Sequence, residues 1–202
     1  MHPTPASDIR IGGLPIEIAP HNCFACGSLN AHGLQLALHA DGERCWTELA
    51  LDRRFEGWNG IAHGGIVCTL LDEVMAWALI DHDTWGVTAR MTVEFRRPVE
   101  VGIPIRAEGR VVEARRRVFR TAGVILDPAT GLELARADGT YVAAPEERKR
   151  ELKERYGFRD AAGSSWTRTS PAAARAAGPA GDRSPDSVDI ADGSPAREGA
   201  TA

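Results

Sequence analysis

The chain has 202 residues, 43% hydrophobic and 26% charged, with a formal net charge of −4. That is one domain's worth of sequence, with enough apolar material for a core. The charge balance excludes a nucleic-acid binder working by bulk basicity. No apolar run approaches the ~20 residues of a membrane span, and four cysteines are too few for a disulfide scaffold. With no basic, apolar leader at its start, the chain is expected in the reducing cytoplasm, with neither nucleic acid nor membrane as partner.

Composition divides the chain into a flexible N-terminus (1–15), a folded domain (16–158) and a disordered tail (159–202). Thirty of the last 42 residues are Ala, Gly, Pro, Ser or Thr, too little apolar surface to offset ordering entropy. Within the domain, Leu34, Leu36 and Leu38 alternate with other residues, Asp41-Gly42 marks a turn, and Cys45, Thr47, Leu49 and Leu51 continue the period. This predicts a hairpin. Residues 65–80 change period, with Ile66, Leu70, Val74 and Ala78 four apart beside Val67, Leu71 and Met75: a largely buried helix. A solvated helix is expected over 145–155.

Next comes the clearest strand. Val87, Ala89, Met91, Val93 and Phe95 are expected on one face, with Thr88, Arg90, Thr92, Glu94 and Arg96 on the other. Further strands fall near 103–114, 117–127 and 132–143. Short connections favour antiparallel pairing, so the class is α+β: an antiparallel sheet of five to six strands around one long central helix.

Residues 57–73, GWNGIAHGGIVCTLLDE, carry the chemistry. Glycines directly before a strong helix allow a ligand close to the backbone, and the first helical N–H groups lack intrahelical partners. Such donors, at the positive end of the helix dipole, suit a polarised carbonyl oxygen. The plain alternative is a loop turning tightly into a helix. Asp72 lies amid apolar neighbours, where an unpaired carboxylate is costly. Two helical turns bring it to the same face as Gly65, while Glu73 points about 100° away and suits a structural or solvated role. Asp72 either acts chemically or is satisfied by nearby backbone or an arginine. The two turns also measure ~10 Å, too far for Asp72 and the helix N-terminus of one subunit to act on one small carbonyl. A second copy of the helix, antiparallel to the first, would bring the two together.

His63-Gly64-Gly65 with Asp72 nine residues after the histidine resembles the hotdog-fold acyl-CoA thioesterases, particularly the phenylacetate-degradation type. The segment HNCFACGSLNAHGLQL (21–36) is similar to the opening of many members. GVTARMTVEFRRPV (86–99) is similar to their strand after the central helix. The resemblance covers about 20–143. It implies a hotdog fold and hydrolysis of an acyl-CoA thioester, with no metal and no cofactor, in a homodimer, and leaves open whether dimers pair into tetramers. It assigns the carbonyl-polarising amide to Gly64, the attacking acid to Asp72 of the partner subunit, and a water-orienting hydroxyl to Thr88. Several relatives carry Asn or Gln where this chain has Gly57, so the hold on water is open, as is a non-catalytic acyl-CoA-binding role. A hydratase is the third reading, without its usual motif here.

Other substrate-binding candidates are His63, Gly65, Asn59, Trp58, Glu73, Arg96 and Arg116. His63 serves either the ligand or the loop, Trp58 either packs or walls an acyl pocket, and Arg96 and Arg116 either meet CoA phosphates or are solvated. Cys23 and Cys26, flanked by His21 and His32, offer four zinc ligands. With no second CxxC, a packed N-terminal segment is the favoured reading there.

Overall fold

The structure, a computed structural model, describes residues 8–11 and 14–160. Residues 1–7, 12–13 and 161–202 of the expected flexible N-terminus and tail lie outside the described residues. The described ends are strands: β1 (Asp8–Ile11) pairs with β2 (Leu14–Glu17), and β11 (Arg159–Asp160) with β2.

The body of the sheet is antiparallel. It comprises β3 (His39–Ala40), β4 (Arg44–Ala50), β7 (Gly86–Phe95), β8 (Pro104–Arg115), β9 (Val118–Leu126) and β10 (Glu133–Ala143), in the spatial order β3-β4-β8-β9-β10-β7. β1 adds to β3 in parallel. A separate hairpin, β5 (Glu56–Trp58) with β6 (Ile61–Ala62), leads into α1 (Gly64–Trp77). The solvated helix α2 (Glu146–Arg155) follows β10. No helix among the described residues is long and apolar enough to cross a membrane.

α1 lies across the sheet because its stripe of Val67, Leu70, Leu71, Val74 and Met75 is buried there. Each such side chain contributes about 1.5–3 kcal/mol on leaving water. The helix backbone comes unusually close. A Cβ at Gly109 of β8 would stand 2.4 Å from the Val74 carbonyl oxygen, so any side chain there would displace the helix.

The expected hairpin has a shorter first arm than its alternation suggests. Outside β3, residues 34–38 leave the ladder: the Leu34 and Leu36 amides donate to the carbonyls of Phe24 and Ala25 (2.8 and 2.9 Å), and Gln35 takes a left-handed φ of 49°. Leu36 and Leu38 are still buried. The alternation there reports burial rather than strand pairing.

Candidate active site

The helix start is built by His63. Its backbone, at φ −62° and ψ 135°, is extended, and its Nδ1 accepts a hydrogen bond from the Gly65 amide at 2.9 Å. The His63 carbonyl takes the amides of Ile66 and Val67 (2.9 and 3.3 Å). Gly64 N–H is therefore the one donor of this first turn with no acceptor among the described residues. Of the two roles open to His63, the structure shows it tying down the loop: it caps α1 while its own amide donates to the Phe55 carbonyl (2.8 Å).

Two turns on, the Asp72 carboxylate accepts from two hydroxyls at one oxygen. Thr88 Oγ1 lies 2.7 Å and the Tyr141 hydroxyl 2.8 Å from Oδ1; the latter also stands 3.1 Å from the Asp72 carbonyl oxygen. Oδ2 has no hydrogen bond among the described residues. Burial, reinforced by the Asp72 charge, pushes the Tyr141 phenol above its ordinary value, so it remains a proton donor. Asp72 is thus satisfied by two hydroxyls, not by backbone or an arginine.

Thr88 reaches Asp72 because β7 breaks its alternation. Against β10, Met91 pairs with Gly139, Arg90 with Thr140, and Thr88 with Tyr141, leaving Ala89 as an extra residue. This bulge moves Thr88 onto the face of Met91 and Val93, toward α1, and turns Val87 outward, where it is 68% exposed. The strict two-face pattern expected for 87–96 holds only beyond the bulge. Sequence reasoning does not single out Tyr141, although a signal exists. The inward positions of β10 are Ala135, Ala137, Gly139, Tyr141 and Ala143, one large hydroxylated side chain in a small-residue row.

The other candidates separate. Gly64 faces the Phe95 ring, and a Cβ added there would stand 3.6 Å from Cζ. Trp58 is 82% exposed, and Asn59 lies beside it at the exposed β5–β6 turn. Glu73 turns away from Asp72, its carboxylate accepting from Trp77 Nε1 at 2.9 Å. Arg96 is held by Glu94 (2.7 Å), and Arg116 stands exposed at the β8–β9 turn with φ 50°. Neither touches Asp72. Gly57 sits at the bulge of its hairpin, where a Cβ would come within 3.0 Å of His63 Cα. A side chain there would press on the His63 backbone at the start of α1.

Residues 59–133 match the family model described as Thioesterase superfamily. A solved thioesterase superfamily protein is 26% identical with a TM-score of 0.56, over 60% of this chain and 60% of that one. The chain therefore spans less than two thirds of that relative's length. S. sahachiroi AziG is 19% identical (TM-score 0.51; 55% of this chain, 91% of that chain). A variant of a hypothetical thioesterase from Streptococcus pneumoniae TIGR4 is 15% identical (TM-score 0.50; 70% of this chain, 98% of that chain). These two bear on the fold alone. No curated protein sequence matches the chain. The fold is the hotdog fold, a six-stranded antiparallel sheet with a central helix. Over residues 59–133 the chain is similar to the thioesterase superfamily, as it is to the 26% identical solved structure.

Proposed function

We propose that this protein hydrolyses an acyl-CoA thioester in a centre shared by two subunits, the Gly64 amide of one acting with Asp72 of the other. The observation that carries it is a carboxylate fixed at one oxygen by two hydroxyls, on the helix whose first amide has no partner among the described residues. In this reading the thioester carbonyl oxygen accepts from Gly64 N–H. A water positioned by Thr88 loses its proton to Asp72 Oδ2 as it attacks the carbonyl carbon. Negative charge gathers on the oxygen facing the helix N-terminus, and collapse of the adduct breaks the C–S bond. CoA leaves as a thiolate that takes up a proton, and the acyl group leaves as a carboxylic acid.

The shared centre is supported by where these groups lie. Gly64 and Asp72 are eight residues apart, about 12 Å along one helix. β7 ends the sheet, and as an edge strand it carries exposed Val87 and Phe95 (68% and 56%). Such an edge invites pairing with a second copy. Antiparallel pairing of two β7 strands sets the Thr88–Asp72 end of one subunit beside the Phe95–Gly64 end of the other. The closer kinship to the phenylacetate-degradation type rests on residues 21–36 and 86–99, and a cytoplasmic location belongs to the same reading.

The test is purified full chain, a panel of short, long and aromatic acyl-CoAs, and a thiol reagent reading free CoA. Thiol release that disappears in Asp72→Asn supports hydrolysis. Tight acyl-CoA binding with no release contradicts it and leaves the non-catalytic binding role.

A further inference from the structure

The N-terminal CxxC meets the central helix at the residue after Asp72. Cys23 Sγ, Cys26 Sγ and a Glu73 carboxylate oxygen all lie within 4.8 Å of one another. They line a cavity of about 160 Å³ walled by Trp77, Trp85, Tyr156 and Phe158. Three acidic groups share this partly buried space. The Trp85 indole nitrogen, from the same cavity wall, is buried with no acceptor among the described residues. Buried acidic groups without a cation are costly to ionise, and three at one point make a ready ligand set.

The local backbone is shaped for this. Residues 24–26 form a turn closed by the Gly27 amide on the Cys23 carbonyl (3.0 Å). Gly27 is required, because a Cβ there would stand 2.4 Å from the Cys23 nitrogen. His21 lines the same cavity and accepts the Cys23 amide at Nδ1 (3.3 Å), which leaves Nε2 for another partner. His32 is exposed and outside the cluster.

We infer that Cys23, Cys26 and Glu73 form a zinc-type metal site, completed by His21 or water, that fastens the N-terminal turn to α1 beside the active-site helix face. Two sulfur ligands select a soft, tetrahedral divalent ion over magnesium or calcium. Tetrahedral zinc with Zn–S of ~2.3 Å holds its ligand atoms about 3.8 Å apart, a rotamer adjustment from the spacing seen. Zinc binds cysteine as thiolate, so binding releases thiol protons and affinity rises with pH. The site does not depend on the thioesterase reading, and its readouts are not activity.

The experiment uses the full chain, reduced and chelator-treated, then loaded with Zn²⁺ or Co²⁺ and desalted. One metal per chain is expected. The cobalt form should show near-ultraviolet thiolate charge transfer and the intense visible bands of a tetrahedral centre. Cys23→Ser and Cys26→Ser should each lose the charge-transfer intensity, Glu73→Gln should weaken affinity by at least ~10-fold, and His32→Ala should change neither. A mercurial thiol reagent should release the zinc from the unmodified protein, which decides the matter if a cysteine variant fails to fold. No retained metal, a Cys23–Cys26 disulfide in place of metal affinity, or unchanged metal binding in folded Cys26→Ser would each overturn the proposal.

Discussion

Gly64→Pro isolates one backbone hydrogen. Gly64 is the first residue of α1, where proline is well tolerated because its missing N–H has no helical acceptor. His63 already has the extended backbone that a following proline demands, at φ −62° and ψ 135°. A Cβ at 64 would meet Phe95 at 3.6 Å, an ordinary contact. The substitution should therefore keep the fold, with a melting temperature within a few degrees of the parent. Removing one oxyanion donor costs about 2.7–4 kcal/mol, or 10²–10³ in kcat. Gly64→Ala adds the carbon but keeps the donor, so its turnover should exceed that of Gly64→Pro by a similar factor. Thiol release from the best acyl-CoA of the panel, with thermal unfolding followed by circular dichroism, gives both numbers. A folded Gly64→Pro with the parent's kcat refutes the role given to this amide.

Asp72→Asn should lower kcat by about 10²–10⁴ through loss of the general base. Thr88→Val, which removes one hydrogen bond to a carboxylate, should lower kcat less than Asp72→Asn does, in the same thiol-release assay. Tyr141→Phe keeps the buried ring and deletes the 2.8 Å bond to Asp72. It should cost about 1–2 kcal/mol, since water reaches the half-buried carboxylate, and an unchanged denaturant midpoint would contradict that bond. Burial, then the negative charge of Cys23, pushes Glu73 up to about 7 from an ordinary 4.5. The native state holds a proton there that the unfolded chain releases, so the stability of metal-free protein should fall as pH rises from about 4.5 to 7. The fall is at most about 3 kcal/mol. Urea titrations across that window should show Glu73→Gln with a flatter profile, and an equally steep one would assign the slope to other groups.

The central helix, its glycine entry and Asp72 were legible in the sequence because each rests on local signals: period, capping and an acid among apolar neighbours. The position of Thr88 was not. Alternation assigns it to the polar face, and only the register against β10 reveals the extra residue at Ala89 that turns it inward. Tyr141 lies 69 residues from Asp72 in sequence, so its bond depends on strand order rather than on any motif. The meeting of Glu73 with Cys23 and Cys26 was hidden for the same reason. Helix geometry gave the direction of Glu73, but not the loop that fills the space on that side.

The shared centre can be tested by mixing two defective chains. Gly64→Pro and Asp72→Asn, each folded and nearly inactive alone, are unfolded together in denaturant and refolded at equal amounts. Random pairing makes half of the dimers mixed, each with one intact site, so roughly a quarter of the parent's acyl-CoA hydrolysis should return. A mixture no more active than its components, with mixed dimers demonstrated by mass, would show that the two groups do not meet across subunits.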